Sequence, residues 1–178
     1  MAIPQHTAKA MGQSCVVNAR RQTTLSPVAD RVQIRPPRAA DAEQLGVLNR
    51  QLGYATEIEE LVSRVNKLSG LQEHFVAVAE VDGAVVGWVQ AEHRFSMETG
   101  DKAELVGLIV GAAARRSGVG TILVQAAEDW ATDRGLRSIV VRSNVIRAES
   151  HSFYRRIGYT QSKTQHVYAK PLQRKSGV

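Results

Sequence analysis

Between residues 31 and 35 polar and apolar positions alternate, with Val32 and Ile34 on one face, until Pro36 and Pro37 stop the run; a short strand is expected. Asp41 stands where a helix cap belongs, ahead of Leu45, Leu48 and Leu52 at three- and four-residue spacing, and Gly53 closes that helix. Thr56 with Glu59 has the form of a capping box for a second helix, whose apolar stripe is Leu61, Val65 and Leu68 and whose end is Gly70. Two strand-like runs, residues 75–81 and 84–91, flank Asp82-Gly83, a pair that tolerates positive φ and so favours a hairpin. Residues 105–110 are continuously apolar, as a strand covered on both faces would be. Val119, Ile122, Leu123, Ala126, Ala127 and Trp130 then follow helical spacing up to Gly135. A buried strand at residues 139–141, a helix at 148–157 stopped by Gly158, and a terminal strand pair at 159–164 and 166–170 complete the pattern. The order β-α-α-β-β-β-α-β-α-β-β predicts an α/β (α+β) domain with a mixed sheet and helices on both faces.

Residues 1–30 break this pattern. They show neither periodicity, are rich in Gln, Thr, Ser and Ala, and read as a flexible N-terminal extension ahead of a domain at residues 31–175. Being acid-poor they loosely match an organelle transit segment, without the apolar core of a secretory signal. The extension also explains much of the charge. The formal net charge is +6, but Lys9, Arg20 and Arg21 meet no acid before Asp30, so half of the excess sits there. The rest is evenly mixed and only 5% of residues are aromatic, which argues against a nucleic-acid surface. No run is long and apolar enough for a membrane helix. Cys15 is the only cysteine, so no internal disulfide is expected and a cytoplasmic location follows most simply. His74, His93 and His166 lack metal-ligand spacing, and no metal is expected.

The segment Arg115-Arg116-Ser117-Gly118-Val119-Gly120 joins the continuously apolar strand to the most periodic helix. A helix N-terminus carries unsatisfied N–H groups and a positive dipole end. Gly118 and Gly120 remove side chains that would keep an anion from those amides, and Arg115 and Arg116 add charge beside them. A phosphate-binding turn is expected. The Walker and dinucleotide glycine patterns are both absent.

The run Leu108-Ile109-Val110 followed by Arg115-x-x-Gly118-x-Gly120 and an amphipathic helix resembles the acyl-CoA motif of the GNAT N-acetyltransferase superfamily. The later stretch Arg147-x-x-Ser150-His151-x-Phe153-Tyr154-x-x-x-Gly158-Tyr159 is similar to that superfamily's second cofactor segment. The resemblance covers residues 32–172 in the order of elements and implies a mostly antiparallel sheet, acetyl-CoA as co-substrate and N-acetyl transfer. It implies that amides of Arg116, Ser117, Gly118, Val119, Gly120 and Thr121 hold the pyrophosphate, with Arg115 beside them. It also implies that Leu108, Ile109 and Val110 offer backbone to pantetheine, with Asn144 and Arg147 in the second cofactor segment. Tyr154 falls where the family often places a general acid. Arg147 departs from the pattern, standing where members often carry Asn, and Ser150 replaces a common alanine.

For the chemistry itself, Glu104 heads the strand beside the cofactor run and is a candidate base, and His151, one turn before Tyr154, is a second proton-handling candidate. Tyr54, Glu57, Glu59 and Glu60, with Glu98, Asp101 and Glu104, place acids where the resemblance implies the acceptor lies. A cationic small-molecule amine is therefore expected. Acetylation of protein N-termini or lysines, a non-catalytic acyl-CoA sensor, and a homodimer all stay open.

Overall fold

The computed structural model of the protein describes residues 28–172. Five strands form one sheet in sequential order: β1 (Gln33–Arg35), β2 (His74–Val81), β3 (Ala84–Ser96), β4 (Gly100–Val110) and β5 (Ile139–Val141). The first three pairings are antiparallel and only β4–β5 is parallel, so the expected mixed, mostly antiparallel sheet is what forms. The helices are α1 (Ala42–Gln51), α2 (Ile58–Ser69), α3 (Val119–Asp133) and α4 (Ala148–Arg156).

Side-chain alternation along the strands divides the core in two. Ala77, Ala79, Val89, Ala91 and Leu105 face α3, meeting Val119, Leu123, Val124 and Ala127, with Phe153 of α4 and Ile157 just after it packed alongside. Val78, Val85 and Ile109 face the other way, onto Leu45, Leu48 and Val65 of α1 and α2. Each fully buried aliphatic side chain of this kind contributes ~1.5–3 kcal/mol of transfer free energy. The N-terminal boundary lies slightly earlier than the extension expected at residues 1–30, because Ala29 is already buried and Val28 packs on the core. The remainder of that expected extension lies outside the described residues.

Four expectations need correction. Thr56 does not cap α2: the cap position is Glu57, and no side chain bonds the first turn. Asp41 is equally absent as a side-chain cap of α1; its carboxylate instead takes both Arg35 Nη atoms at 2.8 and 2.9 Å and the Arg38 amide at 2.7 Å. Strands β3 and β4 run well past their apolar stretches, as a ribbon to Ser96 and from Gly100. Polar cross-strand pairs hold that ribbon, which hydrophobic patterning does not register.

The fourth correction concerns the terminal strand pair at 159–164 and 166–170, which is not formed. Residues 160–172 are all exposed, and none makes a backbone hydrogen bond to other described residues. Gln161, Ser162, Lys163 and Gln165 leave too little apolar surface for a hairpin to stand alone.

Candidate active site

Strand β4 carries the center of the site. Its register with β3 slips by one residue, so that Gln90 opposes Gly107 while Ala91 opposes Leu105, leaving Val106 as a bulge. On its other side β4 pairs with β5 only over Ala103, Glu104 and Leu105. Beyond that point the two strands part. On that side Leu108, Ile109 and Val110 therefore have no strand neighbour among the described residues. The Val110 carbonyl already accepts Arg115 Nε at 3.2 Å.

The turn after β4 is shaped for an anion. Arg116 has φ +61° and Gly118 φ +96°, both left-handed, flanking Ser117. Successive amides in such a conformation converge on one point. The Ser117 hydroxyl is spent on the Ala114 carbonyl at 2.6 Å, and the Thr121 amide on Gly118 O at 3.0 Å. Thr121 thus leaves the expected donor set, while the amides of Arg116, Ser117, Gly118, Val119 and Gly120 have no partner among the described residues. Gly120 serves packing as well: a Cβ there would touch the Phe153 ring at 3.4 Å.

After β5, Asn144 organises the approach to α4. Its carbonyl accepts the Arg147 amide and His151 Nε2, each at 3.0 Å, and its Oδ1 accepts the Ile146 amide at 3.1 Å. His151 is thereby a brace of the loop. Arg147 reaches back to the Leu52 carbonyl at the end of α1, 3.4 Å away. Tyr154 is half-buried against Phe153 and Tyr159, with ring centroids 5.2 and 5.5 Å away. Burial pushes its hydroxyl up to about 12, opposed by the charge of Arg147. That hydroxyl has no hydrogen-bond partner among the described residues, whereas the Tyr159 hydroxyl is committed to Glu128 at 2.8 Å.

Glu104 occupies surroundings that the sequence did not foretell. It is 4% exposed, with Arg94 Nε at 3.0 Å and Arg142 Nε at 3.1 Å, and Arg94 also holds Glu92 at 2.8 Å. Two guanidinium groups thus pair with the carboxylate at the head of the β4–β5 pairing. Along β3, Trp88, Gln90, Glu92 and Arg94 share the face covered by α1 and α2, so this charged cluster continues a cavity under those helices.

The cavity, about 150 Å³, is lined by Leu45, Asn49, Leu61, Val65, Trp88 and Gln90 among others. Trp88 donates Nε1–H to Asn49 Oδ1 at 3.2 Å, and its ring lies over Gly107, where a Cβ would fall within 2.6 Å of two ring carbons. Sequence reasoning missed Trp88, Asn49 and Gly107; the available signal was a glycine inside an apolar strand. Of the expected acceptor-side acids, Tyr54's neighbours Glu57, Glu59 and Glu60 are exposed, and Glu60 pairs with Arg64 at 2.6 Å. Asp101 holds His93 Nε2 at 2.6 Å, with Glu73 on Nδ1 at 2.5 Å.

A splayed β4–β5 pair beside a main-chain anion turn defines a protein that binds a phosphorylated, strand-like cofactor across its sheet. The model of the acetyltransferase (GNAT) family matches residues 46–159, and the chain belongs to that family. It is an acetyl-CoA-dependent N-acetyltransferase. Among similar proteins, aminoglycoside N(6')-acetyltransferase type 1 of Klebsiella aerogenes is 33% identical over 122 residues, 67% of this chain and 78% of that protein. Glucosamine 6-phosphate N-acetyltransferase 1 of Oryza sativa subsp. japonica is 29% identical over 141 residues, 75% of this chain and 84% of that one. The solved aminoglycoside N-acetyltransferase AAC(6')-Iy in complex with CoA superposes with a TM-score of 0.71 at 20% identity, over 79% of this chain and 95% of that one, a likeness of fold.

Proposed function

We propose that the protein transfers an acetyl group from acetyl-CoA to a primary amine of a cationic small molecule by direct attack, with Tyr154 as the general acid. The observation that supports this reading is the Tyr154 hydroxyl, half-buried beside Phe153 and Tyr159 and without a hydrogen-bond partner among the described residues. The residues present fit the cofactor: amides of residues 116–120 for the pyrophosphate, Arg115 and Arg116 for its charge, and the β4 edge at residues 108–110 for pantetheine. Acetyl-CoA supplies a thioester whose sulfur leaves as a thiolate. Tyr154 keeps its proton at neutral pH because burial raises its pKa, so it is loaded as a donor when charge develops on that sulfur. A thiolate of pKa about 8.5 is a tolerable leaving group, so the donation need only assist. The nitrogen loses a proton as the amide forms.

Glu104, held by Arg94 and Arg142 at the head of the β4–β5 pairing, is the candidate to take that proton, directly or through a water. The amine acceptors named for the aminoglycoside N(6')-acetyltransferase relatives support a cationic small-molecule acceptor over a protein lysine. A panel of amines with acetyl-CoA and a free-thiol readout tests the reading. At least one small amine should raise thiol release well above the hydrolytic background. Binding of acetyl-CoA without turnover across amino sugars, polyamines and peptide amines would leave a sensor instead.

A further inference from the structure

The cavity beneath α1 and α2 is apolar. Leu61, Val65, Leu68, Val76 and Trp88 supply most of its lining; Asn49, Gln90 and Arg64 are its polar members, and none of its residues is acidic. Asn49 Oδ1 is already engaged by Trp88 Nε1–H at 3.2 Å, and Arg64 pairs with Glu60 at 2.6 Å. The space is held open by design of the strand beneath it. Gly107 has no side chain, so the Trp88 ring lies down on β4, where a Cβ would come within 2.6 Å of two of its carbons. The bond to Asn49 pins the ring there, and the floor of the cavity is a flat aromatic face.

Size and charge narrow the occupant. An apolar cavity of about 150 Å³ holds one benzene-sized group, and this cavity has that volume. A sugar ring in it would bury hydroxyls with few partners among these side chains, which costs free energy. Charge points the same way, since Arg64 is the one charged member of the lining. The carboxylates further along the sheet already have cations: Arg94 meets Glu92 at 2.8 Å and Glu104 at 3.0 Å, and Arg142 meets Glu104 at 3.1 Å. Two carboxylates and two guanidinium groups balance, which leaves no surplus of negative charge for a polycation. Arg142, with its side chain 63% exposed, can yield its place at Glu104 Oε1 to a single ammonium.

Strand geometry relates the two parts. Gln90 lines the cavity, Glu92 lies two residues further along the same face of β3, and Glu92 is in register with Glu104. Two residues of strand span roughly 7 Å. An arm of about two or three carbons ending in a hydrogen bond of about 2.9 Å covers that distance. We infer that the acceptor is a primary monoamine whose one ammonium sits on a short arm from a compact apolar group, an aromatic ring or a branched alkyl chain, and that this group lies on Trp88 in the cavity. This rests on the transferase reading above and names the substrate class of that same site.

The chain has two tryptophans, and Trp130 stacks on Phe75 on the α3 side of the sheet, so Trp130→Phe leaves Trp88 as the sole reporter. In that background 2-phenylethylamine should change the emission saturably, and spermidine and glucosamine should not at the same concentrations. With acetyl-CoA, kcat/KM for 2-phenylethylamine should exceed that for either by roughly 10-fold or more. Val76→Phe and Leu68→Phe, each at a half-buried lining position, fill the cavity. Each should raise KM for 2-phenylethylamine by roughly 10-fold while acetyl-CoA still protects the fold against heat. Equal or better use of spermidine or glucosamine, silence of Trp88, or wild-type KM in both filled variants would overturn the inference and leave acetyl transfer standing. A Trp88 response with no thiol released from any amine would instead strike the transferase reading, and with it the role of this amine as acceptor.

Discussion

The two walls of the candidate site are made of different material. On the proposed cofactor side, between the end of β4 and α3, the groups free to meet a ligand are main chain: the β4 edge at residues 108–110 and the amides of residues 116–120. On the proposed acceptor side, under and beside α1 and α2, they are side chains drawn from distant segments: Asn49, Trp88, Gln90, Glu92, Arg94 and Glu104. A main-chain site depends on a few backbone conformations and tolerates side-chain change. A side-chain site depends on packing and ion pairing, and should yield stability when disturbed while leaving cofactor affinity alone.

The largest effect expected on stability lies at the corner that seats α1. Arg35 and Asp41 are 10% and 9% exposed, and Arg35 also reaches Glu80 at 2.5 Å. Asp41→Ala removes the bidentate partner of a buried guanidinium, leaving it Glu80 alone, and should destabilise the fold by about 3–5 kcal/mol in chemical denaturation. If acetyl-CoA affinity of the folded fraction falls as well, the two walls are not independent.

Next comes Gly118→Val, the converse experiment. A β-branched residue at φ +96° is strained and crowds the amides, so acetyl-CoA affinity should fall by roughly 10²-fold, the scale of one lost charge-assisted contact, as read by calorimetry. Unchanged affinity would remove the turn from the cofactor site.

Gly107→Ala sharpens the contrast within one strand. The new methyl group meets the Trp88 ring, and overpacking of this kind costs about 1–3 kcal/mol. Adding Trp88→Leu should recover most of that loss in a double-mutant cycle, and additive losses would mean the ring is not what excludes the side chain.

The smallest effect expected is a pH dependence. Hydrogen bonds from Asp101 and then Glu73 raise the His93 pKa above 6.5, so its stabilising contribution is complete below that value and is lost as pH rises through the folded-state pKa. Melting temperatures of the wild type and His93→Gln should therefore converge toward alkaline pH. Parallel curves would show that the clasp does not titrate in this way.

The same difference of material explains what could be read in advance. The turn proposed for phosphate is contiguous, so Arg115, Gly118 and the helix that follows mark it in the sequence, and the alternating and helical stripes place nearly every element. The acceptor side is assembled by strand register. Nothing in the local sequence sets Trp88 over Gly107, or brings Arg142 to Glu104 beside Arg94. Glu104 was legible as a carboxylate near the site but not as one already paired. The terminal segment reads as strand, yet residues 160–172 are exposed and pair with no strand among the described residues.

The central claim is that the free hydroxyl of Tyr154 assists departure of the thiolate. Steady-state kinetics of Tyr154→Phe with an acceptor amine test it directly, because the ring and its contacts to Phe153 and Tyr159 remain. A donor that matters only as charge develops predicts that kcat and kcat/KM fall together by roughly 10²-fold while acetyl-CoA affinity is unchanged. A variant that keeps wild-type kcat would contradict the account and leave Tyr154 a packing residue.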